Sequence, residues 1–130
     1  MSGIEEAFKA RIVALATPAG DRVFREVIEQ EPAYPSIAFQ RTGGGPLQRD
    51  VATLQAMLQR ATIRVEVLAD SSASASSVVS ALRAGLDGWR GASLGVEVLR
   101  CVLTFEGEAS LVDGDQFLKI VQQDYEITHR

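Results

Sequence analysis

The stretch "IRVEVLADSSASASSVVSALRAGLDGWRG", residues 63–91, decides the fold. Its first part alternates, with Ile63, Val65, Val67 and Ala69 on one face and Arg64 and Glu66 on the other, the period-two pattern of a half-buried strand. The period then lengthens. Ala75, Val78, Val79, Leu82 and Leu86 fall at helical spacing and draw one apolar stripe, and Asp70 or Ser71 stands where an N-cap belongs. A helix of about sixteen residues spans ~24 Å and a strand of about nine spans ~30 Å, so the two can lie along each other. The outer face of the helix is mostly serine and alanine, with no group suited to moving a proton, holding a metal or gripping a phosphate.

Working outward, "MSGIEEAFKARIVALATPAG" predicts a helix. Ser2 and Glu5 have the spacing of a capping box, Ile4, Phe8, Ile12 and Leu15 line one face, and Pro18 and Gly20 end it. "DRVFREVIEQ" and "YPSIAFQRT" read as strands, the second with Ile37 and Phe39 opposing Ser36, Ala38 and Gln40. Three glycines and Pro46 interrupt the pattern, so residues 43–58 are expected to form a mobile loop that orders only against a partner. After the turn residues of "GLDGWRGASLG", "VEVLRCVLTF" and "LKIVQQDYEIT" read as strands, linked through a hairpin turn at Asp113-Gly114. The expectation is one domain over residues 1–130 with the order α-β-β-β-α-β-β. Its fold class is α+β: a two-layer sandwich, with a mostly antiparallel sheet of about five strands and two helices on one face.

Composition narrows the function. The 130 residues are 46% hydrophobic and 23% charged, in the range of globular chains, and carry a formal net charge of -4. Two lysines and eleven scattered arginines form no run, which argues against a surface built to hold nucleic acid. Cys101 is the single cysteine, so no intrachain disulfide can form; its position in line with Leu99, Leu103 and Phe105 predicts a buried, inert thiol. No run approaches the ~20 apolar residues of a membrane span.

The motifs of catalysis are missing. His129 is the sole histidine, which removes His-based dyads and multi-His metal sites. "GGGP" lacks the Lys and Ser/Thr of a phosphate loop, and the glycines after Leu86 follow a helix where a dinucleotide fingerprint would open one. "DGD" at 113–115 lacks the spacing of a calcium loop and suits a turn. Trp89, just past a helix, suits a plug for the end of the core. No catalytic, cofactor-binding or metal-binding residue is expected.

Taken in order, "IEEAFKARI", "GDRVF", "YPSIAFQR", the opening stretch and "QQDYEITHR" resemble the tail-completion or tail-terminator proteins of long-tailed bacteriophages and gene-transfer particles. The resemblance implies a structural virion protein made in the bacterial cytoplasm: a ring, usually hexameric, that caps the tail tube, halts its growth and meets the head connector, with DNA passing through unheld. Self, tube protein and connector are the implied partners, with no membrane. Length, glycines and mixed polarity make Arg41, Gly43, Gly44, Gly45, Arg49, Leu54 and Met57 the candidate contact residues. Two alternatives remain at this level: a head-side adaptor or stopper of the neck, and a small ferredoxin-like ligand-binding or enzymatic dimer.

Overall fold

The computed structural model describes residues 3–25, 34–49, 56–113 and 116–130. Two helices, α1 (Ile4–Ala14) and α2 (Ser72–Leu86), accompany six strands: β1 (Val23–Arg25), β2 (Ser36–Arg49), β3 (Ala56–Ala69), β4 (Gly91–Ser93), β5 (Val96–Asp113) and β6 (Gln116–His129). They form one curled, half-barrel sheet in the order β1-β2-β3-β6-β5-β4. This corrects the expected two-layer sandwich with a mostly antiparallel sheet of about five strands in the order α-β-β-β-α-β-β. The sheet is mixed, because β1 runs parallel to β2, and it has a sixth strand, because Gly91–Ser93 pairs with Val96–Val98. A three-residue strand rich in glycine and serine carries no alternation to read, and parallel pairing is set by tertiary contacts rather than by local pattern.

The curl has a local cause. Register shifts interrupt the β2–β3 ladder between Arg41 and Gly43 and again around Gln48, and the β5–β6 ladder between Val98 and Arg100 and between Leu103 and Phe105. Each extra residue bends its strand and deepens the twist. On the inner side lies one apolar cluster. Ile63, Val65, Val67 and Ala69 of β3 are buried there with Ala75, Val78, Val79, Leu82 and Leu86 of α2, as their spacings require. Ser71 caps α2, its Oγ accepting the Ser74 amide at 3.1 Å. The cap of α1 is Gly3, whose amide donates to Glu6 at 2.9 Å; Ser2 lies outside the described residues.

Phe8 of α1 reaches the centre of the core. Its ring meets those of Phe39, Tyr125 and Trp89 at 5.6, 6.2 and 6.5 Å between centroids. Arg11 then ties the helices together. Its guanidinium lies 5.7 Å from the Trp89 ring centre and donates twice to the Gly85 carbonyl, at 2.9 and 3.2 Å, near the negative end of α2. A Cβ on Gly85 would run into the Leu15 side chain, so the glycine sets how closely α1 approaches.

Candidate assembly interface

The structure places residues 43–49 and 56–58 in strands, correcting the expected loop; 50–55 lie outside the described residues. β2 and β3 thus form a long hairpin, paired from Ser36↔Leu68 to Arg49↔Ala56. Glycine and proline are read as breakers, but here they serve an edge. Gly44 sits at φ +138°, and a Cβ there would collide with the Arg60 carbonyl of the facing strand. Pro46, which has no amide hydrogen, lies next to a register shift, a tolerated place for proline on an edge strand. Arg41 and Gly43 are exposed, the Arg41 Nε donating to the Gly43 carbonyl at 3.2 Å. Gly45 and Arg49 continue β2 and Met57 lies on β3; Leu54 falls outside the described residues.

Replacing Gly44 with alanine should therefore cost about 1–3 kcal/mol, the strain of a side chain at such a backbone angle. Hydrogen exchange should speed up along residues 41–63 before it does in β6, and unchanged protection there would contradict the tight strand approach.

A second hairpin, β5 with β6, pairs from Val98↔His129 to Asp113↔Gln116. Sequence reasoning placed Cys101, Leu99, Leu103 and Phe105 on one face. The two bulges change the phase: Cys101 is buried and Leu103 packs on the core, whereas Leu99 leaves that face and Phe105 is 52% exposed. Towards the hairpin's tip Leu111 is 56% exposed, Val112 72% and Phe117 37%. Leu111 stands across from Leu118 and Val112 across from Phe117, so apolar pairs occupy both faces of this arm. These residues were missed as contact candidates because the segment reads as a connection. The available signal is the adjacent apolar residues on both sides of the "DGD" turn, Leu111-Val112 and Phe117-Leu118, which put apolar groups on both faces of a strand.

The two arms leave opposite ends of the sheet. β3 pairs with β6 from Gln59↔His129 to Ala69↔Lys119. The β2/β3 tip therefore projects past the His129 end and the β5/β6 tip past the Lys119 end. Each outer edge is covered at one end alone among the described residues: β1 pairs with Ile37–Phe39 of β2, and β4 with Val96–Val98 of β5. From Gln40 and from Arg100 onward, respectively, β2 and β5 have no outer strand there, and an unmatched row of backbone groups invites another chain.

Between α2 and the β5/β6 arm runs a groove of about 580 Å³, lined by Ser72, Ser76 and Ser80 with Arg83, Glu106, Glu108 and Lys119 among others. Its charges are matched. Arg83 grips both Glu106 oxygens at 2.6 Å, and Lys119 meets Glu108 at 3.2 Å. Glu106 also accepts from Gln123 at 2.8 Å, and the Gln123 oxygen accepts from the Tyr125 hydroxyl at 2.9 Å. Among the described residues no cluster of three metal-ligating side chains occurs, and no helix is long and apolar enough to cross a membrane.

Two groups give this arrangement an acid limit. The Arg83 guanidinium, then Gln123, hold the Glu106 carboxyl below its ordinary value, so the stability it contributes is present above the usual carboxylate range and is lost as pH falls through it. His129 is buried in β6 rather than lying in a frayed end, and burial, then Arg41, lowers its pKa from 6.5. The unfolded chain therefore takes up that proton first, and stability should begin to decline as pH drops below 6.5. Urea midpoints measured against pH should fall in two stages. His129→Gln should remove the upper stage, and its persistence in that variant would refute the assignment.

Comparisons with known proteins match nearly the whole chain. The sequence profile of the family described as Tail completion protein gp17 matches residues 8–130. The chain belongs to that family. It is a structural protein of a phage-type virion tail. No curated protein matches it. A solved chain from the virion of a native gene transfer agent particle superposes with a TM-score of 0.63 at 12% identity, over 99% of this chain and 98% of that one. A second solved chain, 21% identical, gives a TM-score of 0.61 over 95% and 92%. At those identities the likeness is one of fold.

Proposed function

We propose that this tail completion protein closes into a homo-hexameric ring that caps the tail tube, stops its polymerisation and presents a surface to the head connector. The observation that carries this reading is the family match over residues 8–130, on a fold with hairpin arms at both ends and edges that are long and uncovered among the described residues. Subunits with two different edges suit head-to-tail contacts, and such contacts close into rings when the rotation permits. The chain is folded in the bacterial cytoplasm and joins the particle there. With a net charge of -4 per copy, the ring lets DNA pass without retaining it.

Deleting the gene and viewing particles by electron microscopy tests the reading. Overlong tails lacking heads are expected. Tails of normal length without heads would point to a stopper on the head side, and normal particles would end the proposal. Tight DNA binding by the purified protein at physiological salt would contradict the passive bore.

A further inference from the structure

We infer that the β2/β3 arm of one copy pairs edge-on with the β5/β6 arm of the next, so that the sheet continues from subunit to subunit. This rests on the ring reading and adds which surfaces meet.

Three observations support it. First, the stretches left uncovered among the described residues are complementary in position. β6 divides the molecule near Asp124: the described residues of the β2/β3 arm, 41–49 and 56–63, lie on the Tyr125 side and those of the β5/β6 arm, 106–113 and 116–123, on the Gln123 side. Second, they are opposite in charge. By sequence, residues 41–63 hold Arg41, Arg49 and Arg60 against Asp50, whereas 106–123 hold Glu106, Glu108, Asp113 and Asp115 against Lys119; Arg83 of α2 also offsets Glu106, so the excess stays basic on the first arm and acidic on the second. Like arms would repel and unlike arms attract, which favours a second copy in head-to-tail order over a face-to-face pair. Third, the strand directions agree. β2, β3, β6 and β5 are each antiparallel to the next, so β5 of one copy beside β2 of another forms an antiparallel pair in the same sheet. β1 and β4 block level docking, so copies must slide along the strands until free edge meets free edge. In a closed ring that stagger is taken up as strand tilt. The exposed Leu111, Val112 and Phe117 then gain a partner surface.

Charge exchange tests this in cells lacking the gene. One variant carries Arg41→Glu with Arg60→Glu, the other Glu108→Lys with Asp113→Lys. Each alone should lower the yield of complete particles at least ~tenfold, because every junction then sets like charges together. Expressed together they should restore yield to within ~threefold of wild type, since alternating copies match at every junction of an even-membered ring. Circular dichroism melts check that each variant folds. If one does not, Arg60→Gln and Glu108→Gln replace the reversals; each should reduce yield, and together they should give no rescue. Full activity of each variant alone, or failure of two folded reversal variants to complement, overturns the arm pairing while leaving the ring reading intact. Normal particles from the deletion strain itself would instead overturn the ring reading.

Discussion

With Leu111 and Val112 both replaced by aspartate, the purified protein should melt within a few degrees of wild type, yet complete particles should fall at least ~tenfold. Both side chains are exposed at the tip of the β5/β6 arm, where each substitution changes stability by about ±0.5 kcal/mol, or roughly 2 °C in a chain of this size. Burying such a side chain against a partner is worth about 1.5–3 kcal/mol, and a carboxylate in its place also resists desolvation. A tenfold loss needs only about 1.4 kcal/mol per junction, so the effect should exceed the threshold comfortably. Unchanged particle counts would remove the arm tip from the assembly interface. A large drop in melting temperature would show that the tip serves the fold instead.

The largest effect on stability is expected at Phe8. Its ring is fully buried among Phe39, Trp89 and Tyr125, where α1 joins the sheet. Phe8→Ala removes that area and leaves a hole the surrounding rings cannot fill, a loss of about 3–5 kcal/mol out of the 5–15 typical of a domain. Val13, on the exposed side of the same helix, provides the control. Val13→Ala should stay within about 0.5 kcal/mol in urea titrations. A Phe8 variant no weaker than the Val13 variant would mean that α1 is not anchored through this ring.

These two sites differ in how visibly the sequence announces them. The α1 stripe, the β3 alternation and the α2 stripe were legible because each buries one face against one core, and a single period describes each. Leu99 and Phe105 were misassigned because a bulge inserts one residue without leaving a mark in hydropathy, and every later side chain changes face. Residues 43–49 read as a loop because glycine and proline weaken most strands, although on an edge with no outer strand among the described residues they permit the close approach of Gly44 to β3. Of the contact candidates, Arg41, Gly43, Gly44, Gly45 and Arg49 all lie on β2, whose outer side has no partner strand there among the described residues. The opposite arm was not found, because exposed apolar pairs beside a turn look like an ordinary hairpin until the sheet shows that no core lies beneath them.

Cys101 has a consequence for the life of the particle. A virion leaves a reducing host for an oxidising medium, where accessible thiols are damaged or cross-linked. Burial pushes this thiol up to about 12, so near neutral pH its reactive anion is present at a level on the order of one part in ten thousand or less, behind the side chains of α2 and β6. The released tail thus carries no redox-labile spot at this position. A thiol-specific dye added to the intact protein would wait for the fold itself to open, and its rate of uptake would clock that opening.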